Sequence, residues 1–231
     1  MPVTLFWARH GTSYSNVVSV LRDYGQPVNV LLQEAEKNAA YPPGHSDLTP
    51  LGRMQAVEAG RYLRGAGAVP DAIMCSSLPR AIETADGMRA GLGIDTPLLV
   101  APYIQELRNS ARTGREVRRF AATQHIDTVS TDMLDDAPPG HKPNLDLFYD
   151  AVDRAALPPD ARVLVVSHGN FLQQVTGGHL MWNTEIYRSG VHGAATFARH
   201  VYSPAVNTHT LGGMFEILRM AEQGALSRPF M

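Results

Sequence analysis

The sequence predicts an α/β fold, a three-layer sandwich whose mostly parallel central sheet is covered by helices on both faces. Short runs rich in Val, Ile and Leu recur at Val3 to Ala8, Ala72 to Cys75 and Val163 to Val166, and uninterrupted apolar runs of that length are strands buried on both sides. Each is followed by a polar or glycine-bearing turn and then a helical pattern, and strands alternating with helices build parallel sheets. The chain of 231 residues, 44% hydrophobic and 18% charged, is long enough to bury a large core without disulfides or a structural metal.

The elements follow in order. The first strand, Val3 to Ala8, runs into Arg9-His10-Gly11. Thr49-Pro50 starts a helix, a hydroxyl N-cap followed by proline at the first helical position, with Leu51, Met54, Val57 and Leu63 along one face. Ala72 to Cys75 leads into a helix over Pro79 to Leu92, and Pro97 to Ala101 is a weaker fourth strand. A further helix spans Asn144 to Leu157, before the strand Val163 to Val166 and its turn Ser167-His168-Gly169. Paired prolines at 41–44, 137–143 and 157–160 mark loops within one domain covering residues 1–231. An insertion is expected at about 17–46, and the part from about 180 onward is less assignable.

Twenty Lys and Arg against 22 Asp and Glu give a net charge of −2, which disfavours a nucleic-acid or membrane-surface partner. A single cysteine, Cys75, excludes an intrachain disulfide framework. No apolar run approaches the length of a membrane span, and Met1 to His10 lacks the pattern of a signal peptide, so a cytoplasmic protein is expected. The remaining histidines (45, 125, 141, 179, 192, 200 and 209) form no HExxH or close His-x-His pair, and no GxxxxGK[ST] loop occurs; no metal and no cofactor are expected.

In an open α/β sheet, ligands bind beyond the carboxyl ends of the strands. Two histidines, His10 and His168, occupy that place after the first and last strands, each followed by a glycine. Arg9 precedes one of them, and Arg80 sits in the first turn of the helix that follows the Ala72 to Cys75 strand. Helix N-termini attract anions, and guanidinium forks match the oxygens of a tetrahedral dianion, for which phosphate is the leading candidate.

Arg9-His10-Gly11 with Asn16, Leu48-Thr49-Pro50-Leu51-Gly52-Arg53-Met54-Gln55-Ala56, Ser76-Ser77-Leu78-Pro79-Arg80-Ala81-Ile82-Glu83-Thr84-Ala85 and Val165-Val166-Ser167-His168-Gly169 resemble, in order, the signatures of the histidine phosphatase superfamily, the phosphoglycerate-mutase-like fold. The resemblance implies that His10 becomes phosphohistidine, that Arg9, Arg80 and His168 complete the phosphate pocket, and that Asn16 adds a contact to the transferred group. For the proton donor it points to Glu106 in Tyr103-Ile104-Gln105-Glu106-Leu107-Arg108, with Glu83 and Glu116 also available and Glu83 assigned to structure. The chain departs from the family pattern at Thr12-Ser13 and at Asn170. The expected activity is a metal-independent phosphomonoesterase acting on a phosphorylated small molecule or phosphopeptide. A phosphoglycerate-mutase-type phosphomutase and a phospho-ligand binding protein with little turnover are the alternatives. Arg108, Arg112, Arg115, Arg118 and Arg119 form either a solvated helix face or a reach toward a second anionic group.

Overall fold

The computed structural model describes residues 3–25, 48–107, 111–190 and 198–207, and the single positions 212, 213, 216 and 219. The Pro-Pro loop at 41–44, most of the expected insertion, and Arg108 lie outside them. The elements are β1 (Thr4–Arg9), α1 (Tyr14–Asp23), α2 (Pro50–Gly65), β2 (Ala72–Cys75), α3 (Pro79–Leu92), β3 (Leu98–Val100), α4 (Gly114–Thr123), β4 (Val129–Ser130), α5 (Asp132–Asp135), α6 (Leu145–Arg154), β5 (Arg162–Ser167), α7 (Gly169–Thr176), β6 (Ile186–Gly190) and β7 (Arg199–Tyr202).

The seven strands lie in the order β4-β3-β2-β5-β1-β6-β7. The first five are mutually parallel, whereas β6 and β7 extend the β1 side antiparallel. The register fixes the site, because Arg9 pairs with Ser167, so that His10 and His168 leave neighbouring strands side by side. The expected three layers are present, since the apolar runs alternate between two buried faces. Phe6, Ala8, Ile73, Cys75, Leu164 and Val166 pack with α2, α3 and α4. Leu5, Trp7, Met74, Val163 and Val165 pack with Phe148 and Val152 of α6 and Phe171 and Leu172 of α7.

Helix α2 is capped by the Thr49 hydroxyl with Pro50 at its first position, but its buried face differs from the expected one. Met54 is exposed, and Leu51, Gly52, Gln55, Ala56, Ala59, Gly60 and Leu63 face inward. The reason is close packing of backbone on backbone. A Cβ on Gly60 would strike the Met88 carbonyl, one on Gly91 the Val57 carbonyl, and one on Gly87 would lie 2.8 Å from the Ala56 Cβ. Small residues therefore define this helix contact, and a search for large apolar side chains misses it.

The same tightness reaches the end of β1. A Cβ on Gly11 would lie 2.5 Å from the Gly52 carbonyl oxygen, and one on Gly52 would strike the Thr12 carbonyl. Gly52→Ala should destabilise the protein by about 2 kcal/mol or more, since backbone must move to admit a methyl group. Gly65→Ala, where a Cβ meets nothing within 4 Å, should not. Urea unfolding of both variants checks the pair, and equal midpoints would remove the packing account.

Candidate active site

The carboxyl edge gathers four chain segments. Backbone bonds from His10 N–H to the Ser167 carbonyl (3.0 Å), Ser76 N–H to Val166 (3.0 Å) and Ala101 N–H to Cys75 (2.9 Å) continue the ladders past the strand ends and hold these turns together. His10 and His168 stand with ring centroids 5.2 Å apart, both buried. His10 Nδ1 lies 2.8 Å from the Gly11 carbonyl, an arrangement that requires Nδ1 to carry the proton. Nε2 therefore presents its lone pair, and it accepts the Arg80 Nε–H at 3.2 Å. His168 Nε2 is 2.9 Å from the Ser76 hydroxyl.

Arg9 and Arg80 are 6% exposed. Burial lowers both guanidinium pKa values to about 10, a shift opposed for each by the nearby charge of Glu106, and for Arg9 also by Glu185. Both remain cationic at neutral pH. Arg9 also donates to the Met181 carbonyl at 2.6 Å. Gly169 packs close beside it: a Cβ there would lie 2.9 Å from the Leu180 Cδ1 and 3.2 Å from the Arg9 Cζ, so both side chains would have to shift to admit one. The N-terminus of α3 has no side-chain cap, so the positive end of its helix dipole adds to this edge.

The loop carrying Glu106 is pinned at three successive residues. The Tyr103 carbonyl accepts from Asn144 N–H (2.9 Å), the Ile104 carbonyl accepts from the Ser167 hydroxyl (2.6 Å), and Gln105 Nε2 donates to the His141 carbonyl (2.8 Å). Tyr103 adopts φ 67° to make this turn, an uncommon conformation for a side chain of its size. The half-buried Glu106 accepts the Leu107 N–H at 3.0 Å.

The other two carboxylates serve local structure. Glu116 closes the α4 capping box with Thr113. Glu83 accepts from Leu48 N–H (2.8 Å) and from Arg53 (2.9 Å), which ties residue 48 and the start of α2 to α3. Burial pushes the Glu83 carboxyl from 4.5 up to about 7 against the opposing pull of Arg53 and the Leu48 amide. A raised carboxyl pKa means that the folded state favours the protonated form. This contribution is complete below the ordinary carboxylate pKa and is lost as pH rises through about 7. The stability of the wild type minus that of Glu83→Gln should therefore fall by about 3 kcal/mol between pH 4.5 and 8. Urea titrations across pH check this, and a constant difference would place ionised Glu83 in both states.

Asn16 lies at the third position of α1, where its Oδ1 accepts from Ser13 N–H, the Ser13 hydroxyl and Asn183 Nδ2 at 3.0 to 3.2 Å. Among the arginines after the acid, Arg112 is buried and its N–H donates to Ser77 Oγ at 3.0 Å, beside the turn that bears Arg80. Arg118 binds Asp135 and Thr131, while Arg115 and Arg119 are exposed. Two residues that touch the His10 turn, Thr84 and Asn183, carry no role in the sequence reading. Thr84 lies within a quoted motif, whereas Asn183 has only its place among otherwise uninformative residues.

Two histidines and two buried arginines at the carboxyl edge of a parallel sheet define an α/β protein with a cationic cluster suited to a tetrahedral oxyanion. The chain belongs to the histidine phosphatase superfamily, branch 1, whose sequence profile matches residues 8–207. Its fold is shared by the ecdysone phosphate phosphatase of Bombix mori, solved with tungstate, at 16% identity over 90% of this chain and 96% of that one, with a TM-score of 0.58. Phosphoserine phosphatase of Entamoeba histolytica, solved with 3-phosphoglyceric acid, aligns at 17% identity over 90% and 100% of the two chains, with a TM-score of 0.49. No curated protein matches the chain by sequence. Among the described residues, no helix is long and apolar enough to cross a membrane, and no group of three or more His, Cys, Asp or Glu is placed to hold a metal ion.

Proposed function

We propose that the protein is a metal-independent phosphomonoesterase that works through a phosphohistidine on His10. The observation that carries this reading is the 2.8 Å contact of His10 Nδ1 with the Gly11 carbonyl, which sets the tautomer. Donation from Nδ1–H to the Gly11 carbonyl leaves the Nε2 lone pair directed at the arginine-lined pocket, which suits in-line attack on phosphorus. A phosphomonoester dianion repels nucleophiles, so catalysis depends on neutralising donors and on a proton for the leaving oxygen. Arg9, Arg80 and His168 supply the donors. Asn16 contacts the transferred group through its amide nitrogen.

In the first step Nε2 forms the N–P bond, the ester P–O bond breaks, and Glu106 gives its proton to the departing oxygen. In the second, water attacks phosphorus, its proton passes to the Glu106 carboxylate, and the N–P electron pair returns to Nε2. Arg80 Nε–H, which holds the lone pair before substrate arrives, turns to a phosphate oxygen as phosphorus takes its place. The substrate is a phosphorylated small molecule or phosphopeptide.

The test is phosphate release from p-nitrophenyl phosphate. Activity should survive EDTA and be blocked by vanadate, whose trigonal-bipyramidal form occupies the same donors. Loss of activity in EDTA, restored by a divalent metal, would overturn the metal-independent reading, and tight phosphate binding without turnover would favour a binding protein.

A further inference from the structure

The peptide unit that joins His10 to Gly11 is held at both of its polar ends by side chains from distant parts of the chain. Its carbonyl, His10 O, accepts Asn183 Nδ2 at 2.8 Å. Its amide, Gly11 N–H, donates to Thr84 Oγ1 at 2.9 Å. The two groups point in opposite directions from one rigid plane, so the pair fixes the rotation of that plane. The carbonyl that follows, Gly11 O, lies in the next plane, whose amide, Thr12 N–H, donates to Gln55 Oε1 at 3.1 Å, so Gly11 O is fixed with both planes held. That carbonyl is the acceptor of the His10 Nδ1 proton. Thr84 and Asn183 are both buried, so no bulk water stands ready to replace either bond.

Each anchor is itself held. The Thr84 hydroxyl donates to the Arg80 carbonyl at 2.6 Å, so one oxygen joins the His10 turn to the helical turn bearing Arg80. Asn183 lies in a segment that wraps β1: the Met181 carbonyl accepts from Arg9, Thr184 N–H donates to the Arg9 carbonyl at 3.0 Å, and Arg9 N–H donates to the Glu185 carbonyl at 3.3 Å. Thr184 makes its bond at φ 59°, a left-handed conformation that is rare for a β-branched residue and persists where surrounding contacts over-determine it.

We infer that Thr84 and Asn183 are positioning residues of His10: together they set the His10–Gly11 peptide plane, from which the Gly11 carbonyl follows with Gln55 holding the next plane, and so select the tautomer that exposes the Nε2 lone pair. Their effect on turnover rests on the phosphohistidine reading, whereas their effect on the imidazole does not. With the first plane released, the Gly11 backbone would turn about its two soft dihedrals and carry Gly11 O away from Nδ1, and both neutral tautomers would then be populated. Catalysis would lose the fraction of attacking-competent rings and the alignment of those that remain.

The experiment uses the full chain labelled with 15N-histidine, in the wild type and in Thr84→Val, Asn183→Leu and Thr84→Ser. The ring nitrogen shifts of His10, assigned by their loss in His10→Ala, should report the Nδ1–H form in the wild type and in Thr84→Ser, which keeps the hydroxyl. They should move toward a tautomer average in Thr84→Val and Asn183→Leu. On an active substrate, kcat should fall about a hundredfold in those two variants with KM changed less than threefold, and Thr84→Ser should recover most of the rate. Unchanged Nδ1–H shifts in folded Thr84→Val and Asn183→Leu would overturn the inference whatever the rates. Altered shifts in a protein that hydrolyses no phosphomonoester would uphold the positioning and defeat the phosphatase reading. If Thr84→Val unfolds, Asn183→Leu and the Thr84→Ser shifts decide the matter alone.

Discussion

His10→Ala should lower phosphomonoester hydrolysis by about four orders of magnitude or more and leave the fold in place. Removing a covalent nucleophile forfeits the whole two-step route, and the residual rate comes only from the cationic pocket acting on a water molecule. The magnitude is large because the neighbouring histidine does not replace Nε2: His168 lies close by, but its Nε2 faces the Ser76 hydroxyl. The fold should survive because the strand-end bonds around residue 10 are made by backbone, which alanine keeps. Thermal unfolding establishes the second half of the prediction. Acid-quenched reactions with 32P-labelled substrate establish the first, with label on wild-type His10 and none on the variant. Label on another residue, or turnover within tenfold of wild type, would remove His10 from its proposed place.

The sequence made the sheet centre legible because β1, β2 and β5 are buried on both faces, so their apolar runs stand out against the turns that follow. The same strands deliver Arg9, His10, Ser76 and His168 to one edge, so their placement together could be anticipated from strand ends alone. Edge strands carried no such signal. In β6 only Ile186 is fully buried, and β7 is half to fully exposed, so neither shows a run or a clean alternation. The face of α2 was hidden for the opposite reason, since its contacts are made by glycines and alanines whose importance lies in backbone approach. Asn183 was out of reach because its role depends on a 173-residue contact with His10, and no local pattern distinguishes it from any other loop asparagine.

Glu106→Gln should lower kcat/KM, which reports the phosphorylation step, by about a thousandfold for an alkyl phosphate and by less than about tenfold for p-nitrophenyl phosphate. An alkoxide leaving group needs its proton in the transition state, whereas nitrophenolate departs without one, so the loss should scale with the basicity of the leaving oxygen. Position supports this assignment over the other two carboxylates. Glu83 is engaged by Leu48 and Arg53, and Glu116 by Thr113. Glu106 instead follows β3 on the site edge, in a loop held at residues 103, 104 and 105. Its charge acts on both Arg9 and Arg80, the arginines proposed to hold the phosphate. The variant keeps the side chain's shape but lacks the acid, and the comparison of two substrates separates proton donation from charge. An equal loss on both would assign Glu106 to electrostatic positioning of the arginines. No loss on either would move the acid to a carboxylate elsewhere in the chain. Burst kinetics add a third reading: with p-nitrophenyl phosphate the variant should still phosphorylate His10 rapidly, then turn over slowly because water has lost its base, so phosphoenzyme should accumulate where the wild type shows little.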